Sequence, residues 1–173
     1  MAAAFRAASV RRIPPEIDGS RRKTGDSRRK AAGIRAAFAR DNARMHGTAD
    51  HPSPRAANGA AAERLAAHFL ASQGLTVIVR NFRCRIGELD LVCDDRGTLV
   101  IVEVRQRSRA DFGGALHSVT AAKRRRITRT TARFLMQTRR WRDARVRFDV
   151  IGIDGPPDDR ARLTWVRDAF RCD

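Results

Sequence analysis

The chain has no tyrosine, only three cysteines and, among 36 basic residues, only three lysines: Lys23, Lys30 and Lys123. Scarce aromatics weaken a platform on which single-stranded bases would stack. Cys84, Cys93 and Cys172 are odd in number and include no CxxC pair, which argues against a disulfide framework and against a zinc site. A reducing cytoplasm is the economical expectation. No apolar run approaches the roughly 20 residues of a membrane span, and no secretory segment is visible, so no membrane partner is expected.

Acids are also in the minority. Nineteen Asp and Glu stand against 36 Lys and Arg, a net charge of +17. Such a field favours a polyanion, most simply nucleic acid, with DNA expected and RNA an option. An arginine-rich surface is equally what a high-GC genome would supply.

The chain divides unevenly. Residues 1–55 hold 13 basic and 5 acidic residues, net +8, and runs such as "GSRRKTGDSRRKAAG" have no lasting period. Disorder is expected there. Two readings stand: a basic tail that adds nonspecific affinity, or an upstream extension with Met45 as the natural start. Residues 56–173 carry 23 basic and 14 acidic residues and can bury a modest core. "NGAAAERLAAHFLASQGL" predicts a helix capped by Asn58 and Gly74, with Ala62, Leu65, Ala66, Phe69 and Leu70 on its apolar arc. "TVIVRNFRC", "ELDLVCD" and "TLVIVEVRQR" predict three strands. "TAAKRRRITRTTARFLMQTRRW" predicts a second helix, with Ile127, Phe134 and Trp141 on one stripe. "RVRFDVIGI" and "RLTWV" close the chain as strands. The order is α-β-β-β-α-β-β, one α/β domain with a mixed central sheet flanked by helices.

Three carboxylates are out of place in this pattern. Glu88 and Asp90 fall in the second strand, two residues apart and so on one face. Glu103 and Arg105 share a face of the third with Leu99 and Ile101, while Val100, Val102 and Val104 take the other. Buried acids are costly. If the two strands pair antiparallel, Asp90 and Glu103 come close enough to repel unless a cation lies between them. Mg2+ (or Mn2+) suits one or two carboxylates, waters and a phosphate. The alternative is structural neutralisation by Arg105, Arg83 or Arg85. Glu63 sits at the rim of the first helix's apolar arc, where it can act as an outer ligand or base, or simply favour the helix dipole.

The second helix carries Lys123, Arg124, Arg125, Arg126 and Arg129, followed by Arg133, Arg139, Arg140 and Arg142. These can track a phosphate backbone, and no base-reading motif accompanies them. His117, in the preceding loop, reads as a surface histidine.

"RNFRCRIGELDLV", "VIVEVRQRS", "FGGALHSVTAAKRRRI" and "RFDVIGI" together resemble the YraN family of bacterial proteins, and more widely the PD-(D/E)xK, restriction-endonuclease-like nucleases. The resemblance spans residues 56–153. It implies an endonuclease-like core and Mg2+-dependent phosphodiester hydrolysis on DNA, with branched or damaged DNA as candidate substrates. It matches Asp90 to the metal-binding aspartate and Glu103 to the acid of the signature. It matches Glu63 to the helix glutamate of Holliday-junction-resolvase-like members. Arg105 falls where the signature has lysine. Arginine stabilises phosphate charge well but hardly deprotonates. So the metal alone activates water, or Lys123, the one lysine after residue 55, substitutes, or the chain is a nucleic-acid-binding module whose chemistry has faded, in repair or at the ribosome.

Overall fold

The computed structural model describes residues 10–13, 53–107, 119–158 and 160–171. The loop containing His117 lies outside the described residues, as does most of the segment 1–55. In chain order the elements are β1 (Val10–Ile13), α1 (Pro54–Ser72), β2 (Thr76–Cys84), β3 (Gly87–Asp95), β4 (Thr98–Arg107) and α2 (Ala121–Gln137). A short 3-10 turn (Arg139–Trp141), β5 (Val146–Asp154) and β6 (Arg162–Phe170) follow. From α1 onward this is the expected α-β-β-β-α-β-β order.

The strands form one mixed sheet in the order β1-β6-β5-β4-β3-β2. β4 pairs antiparallel with β3 and parallel with β5, which places it centrally. Both of its faces are therefore buried, as its double-sided apolar pattern requires. Val100 and Val102 pack under α1 with Ala62, Ala66, Leu70, Ile151 and Trp165. Leu99 and Ile101 pack under α2 with Phe82, Ile127, Phe134 and Trp141.

Two helix ends depart from expectation. α1 starts a turn before Asn58: Ser53 is the N-cap, its Oγ accepting from the Ala56 N–H at 3.3 Å, with Pro54 in the first turn where a missing N–H costs nothing. Its other end is as expected. Gly74 (φ 88°) takes the left-handed position, the Leu75 N–H donates to Leu70 O and the Gly74 N–H to Ala71 O, a Schellman closure. α2 stops at Gln137 instead of running to Trp141. Thr138 leaves the helical region (φ −124°, ψ 89°), yet the 3-10 turn still delivers Trp141 to the stripe begun by Ile127 and Phe134.

Within the segment expected to be disordered, Val10–Ile13 forms the edge strand β1, antiparallel to β6. The unpaired N–H and C=O groups along β6 supply the reason: an open sheet edge pairs with any extended segment that reaches it.

The β3–β4 hairpin turns on Arg96 and Gly97, both at positive φ (53° and 93°), with the Gly97 N–H donating to Asp94 Oδ1 at 2.7 Å. β2 is less regular. It bulges between Val77 and Val79, and Asn81 adopts φ 53°.

Phe134 is fully buried and meets Phe82 edge-to-face at 5.2 Å. Phe134→Ala is expected to lower stability by about 3–5 kcal/mol, measured by urea unfolding of the full chain. A loss under 1 kcal/mol would mean that the helix does not depend on this anchor.

Candidate functional site

Asp90 lies where β3 loses its regular alternation. Leu89 packs on the α2 side of the sheet, whereas Leu91, two residues on, packs on the α1 side. Across the ladder, Asn81 with its positive φ falls between the pairs Arg80↔Leu91 and Phe82↔Leu89, opposite Asp90. On the other side, the β3–β4 register ends at Leu91↔Val102. Beyond that point the Asp90 carboxylate replaces a backbone acceptor: Oδ2 takes the Val104 N–H at 2.8 Å. The strands part here, and the Asp90 carboxyl turns into the gap.

Glu103 is 3% exposed and stands beside this gap. Its Oε1 lies 2.7 Å from Lys123 Nζ and 3.2 Å from Arg105 Nε. Lys123 is brought there by the first turn of α2, whose N-cap Thr120 accepts the Lys123 N–H on Oγ1 at 3.2 Å. Arg105 pairs with Glu103 by charge, but its buried Nε makes no hydrogen bond. Neutralisation of Glu103 by Arg105, one of the sequence alternatives, is thus part of the geometry, and Lys123 holds the shorter contact.

The Asp90 carboxyl is pushed up to about 7. Burial is the main cause and the charge of Glu103 the second; the Val104 N–H and Lys123 oppose the shift, and Glu63 adds to it. Glu63, on α1, therefore acts on the same gap from the other side of the sheet. Its Oε2 is buried and has no hydrogen-bond partner among the described residues. The structure brings Glu63, Asp90, Glu103, Arg105 and Lys123 to one end of β3 and β4. Glu88, expected on the face of Asp90, has a different setting: it is exposed and ion-paired with Arg83 at 3.4 Å.

Among the described residues no three His, Cys, Asp or Glu side chains group closely enough to ligate one ion as they stand. The Lys123 ammonium occupies the Glu103 oxygen that an ion would share. The donor chemistry nevertheless fits a hard divalent cation: three carboxylates, one with an unmatched oxygen and one that titrates close to neutral pH. Cys93 is buried and its thiol is pushed up to about 12, chiefly by burial, so it is no nucleophile near neutral pH.

Of the basic residues on α2, Arg125, Arg126, Arg129 and Arg133 are exposed. Arg124 is folded back, its Nε donating to Val119 O at 3.0 Å and its guanidinium 5.8 Å from the Phe170 ring centre.

Sequence reading missed one buried acid, Asp149. It accepts two bonds from Arg147 (2.9 and 3.1 Å), one from Trp165 Nε1 (3.1 Å) and one from the Asp168 N–H (2.9 Å). Arg147 also reaches Asp95 at 2.9 Å. The "RFD" spacing was a usable signal, since Arg147 and Asp149 share a strand face. Every lone-pair direction of this acid is answered from within the protein.

Comparison with known proteins gives the family. The model of "Uncharacterised protein family UPF0102" matches residues 62–153. A UPF0102 protein of Dechloromonas aromatica (strain RCB) is 49% identical over 117 residues, 68% of this chain and 91% of the relative. One from Pseudomonas entomophila (strain L48) is 46% identical over 114 residues, 66% of this chain and 93% of the relative. One from Nitrosococcus oceani is 39% identical over 122 residues, 70% of this chain and 98% of the relative. The chain belongs to UPF0102, the family whose resemblance the sequence motifs carried under the name YraN. Residues 1–55 lie outside the matched segment. Among the described residues no helix is long and apolar enough to cross a membrane.

The Asp90 shift has a definite sign. Its folded-state value of about 7 lies above the 3.8 of an ordinary aspartate. Between these values the folded chain keeps a proton that the unfolded chain releases, so stability falls as pH rises through this window and levels off above it. At about 1.4 kcal/mol per pH unit, ionising Asp90 in the fold costs at most about 4 kcal/mol. Asp90→Asn keeps an oxygen for the Val104 N–H and removes this cost. We expect it to be more stable than wild type at pH 8 by at least ~1 kcal/mol, with the difference shrinking toward pH 4. Parallel stability–pH curves for the two proteins would place Asp90 in a wetter setting than the fold implies.

Proposed function

We propose that this protein is a Mg2+- or Mn2+-dependent phosphodiesterase acting on nucleic acid, with a restriction-endonuclease-like core. Asp90 and Glu103 are its metal ligands and Glu63 an outer ligand. One observation carries this reading: Glu63 and Asp90, half-buried at the β3–β4 gap, accept few bonds, while Asp149, buried more deeply on the same sheet, is fully satisfied. Among the described residues Glu63 Oε2 has no hydrogen-bond partner, the Asp90 carboxyl accepts from the Val104 N–H, and Asp149 accepts four bonds. A buried acid with capacity to spare costs stability unless a ligand completes it. Strained or under-paired titratable groups concentrate at functional sites.

The chain's own residues divide the work. Asp90 and Glu103 supply hard oxygen donors once Asp90 has lost its proton. A divalent ion bound there supplies Lewis-acid activation of water and neutralises charge at the scissile phosphate. Arg105 cannot serve as a base, so its part is to hold negative charge at the phosphate. Lys123 brings an ammonium to Glu103 from α2, and so supplies in space the lysine that the strand lacks at position 105. The exposed Arg125, Arg126 and Arg129 contribute sequence-independent affinity for the backbone. The second reading is a binding module of the same fold; the close Lys123–Glu103 pair favours it, since that contact neutralises the acid without any ion.

The two readings separate by calorimetric titration with Mg2+ or Mn2+, alongside cleavage of linear, branched and single-stranded DNA. Because binding must displace the Asp90 proton, affinity is expected to be about tenfold weaker at pH 6 than at pH 8, and to be lost in Asp90→Asn. Lys123→Ala should cut cleavage by about 100-fold and leave metal affinity equal or higher, whereas Arg105→Lys should cleave at least as well as wild type. A chain that binds DNA but neither binds metal nor cleaves any of these substrates is the binding module.

A further inference from the structure

Beside the acids, on the α2 side of the sheet, lies an open cavity of about 250 Å3. Arg83 of β2, Gly87 and Glu88 of β3, and Lys123 and Arg126 of α2 line it. Three cations thus face one carboxylate, which is exposed and, among the described residues, pairs with Arg83 at 3.4 Å.

Gly87 determines how Arg126 enters this cavity. A Cβ at position 87 would stand 2.9 Å from Arg126 Cγ, 3.0 Å from its Cδ and 3.0 Å from Thr130 Oγ1. The threonine cannot easily give way, because its hydroxyl donates to Arg126 O at 2.8 Å. The bare backbone at Gly87 lets the Arg126 stem lie against β3. No carboxylate pairs with Arg126 among the described residues. Lys123 joins the cavity to the acids: its side chain lines the wall while Nζ reaches Glu103.

We infer that this cavity is a phosphate subsite for a nucleic-acid strand. It holds the phosphodiester group next to the one presented to Asp90 and Glu103. Arg126 and Arg83 are its donors, and Gly87 is the positioning residue for Arg126. The inference rests on the phosphodiester reading and adds to it the requirement for a neighbouring phosphate. Guanidinium groups suit the task, since each offers a planar fork of donors to phosphate oxygens.

The test uses the full chain in EDTA, so that its outcome is independent of metal and of cleavage. Binding of a fluorescent single-stranded DNA oligonucleotide is followed by anisotropy across a salt series. Arg126→Gln is compared with Arg133→Gln, which removes the same charge from an exposed position seven residues further along α2. A built subsite predicts that Arg126→Gln weakens binding at least about fivefold and lowers the salt slope by ~1, while Arg133→Gln weakens it less than about twofold. Equal losses at the two positions would mean a diffuse basic helix and overturn the subsite. Gly87→Ala retains every charge, and is expected to lose affinity nearly as far as Arg126→Gln; wild-type binding by Gly87→Ala would remove Gly87 from the proposal. Should Gly87→Ala fail to fold, a second measurement decides the same point: inorganic phosphate should saturably shift the Gly87 amide and Arg126 Nε resonances of the wild type, and shifts spread evenly over the arginines of α2 would overturn the subsite. Subsite binding without cleavage under Mg2+ would sink the hydrolytic reading alone.

Discussion

A carboxylate buried on a central strand must be met by positive charge, and much of the site follows from meeting that need at Glu103. β4 has neighbours on both sides and helices on both faces, so water cannot reach this group from most directions. Removing an ion from water costs several kcal/mol unless a partner and further hydrogen bonds compensate. Lys123 and Arg105 are the partners, one from a helix and one from the strand itself. The start of α2 is therefore under double constraint. Thr120 must cap it and Lys123 must fall in its first turn, or the acid is left with Arg105 alone among these partners. The same contact ties helix, sheet and the opening between β3 and β4 into one unit.

Much of this is legible in the sequence, for reasons that differ by element. Period-two runs of Val, Leu and Ile mark β4, and the alternation places Glu103 and Arg105 on the face of Leu99 and Ile101, in keeping with the two cores. The seven-residue stripe of α2 holds because burial is periodic, even though the helix itself ends early and a 3-10 turn completes the register. Other features leave no one-dimensional trace. Ser53 and Asn58 are both good caps, and Pro54 is the discriminating neighbour. Thr130 and Thr131 are buried, because their hydroxyls bond back to the carbonyls of Arg126 and Ile127 and so enter the core as if apolar. The break at Asp90 depends on a backbone angle one strand away, at Asn81. The Lys123–Glu103 contact joins residues twenty apart, and charge composition alone could not distinguish it from an exposed basic helix.

The sheet holds two kinds of buried acid. Asp149 is locked by arginine, indole and backbone donors, a complete network that fixes β5 against β6 and permits no exchange of partners. The acids around Asp90 are set in the opposite way: the charges of Glu103 and Glu63 raise the proton affinity of Asp90, and Glu63 Oε2 lacks a donor among the described residues. The first arrangement leaves neither carboxylate oxygen without a donor. The second leaves Asp90, pushed up to about 7, able to change charge near neutral pH.

The irregularities of β2 have a further consequence, for association between molecules. β2 lies at the end of the sheet opposite β1, and no strand covers its outer side among the described residues. A straight edge of this kind is a template on which a second chain can add, strand upon strand, toward insoluble aggregates. The bulge near Ile78 and the left-handed Asn81 spoil the even spacing of amides that such growth needs. Exposed Arg80 and Arg83 would set like charges against one another in any stacked copy. The departure from ideal strand geometry that opens the site thus also guards the protein's colloidal stability.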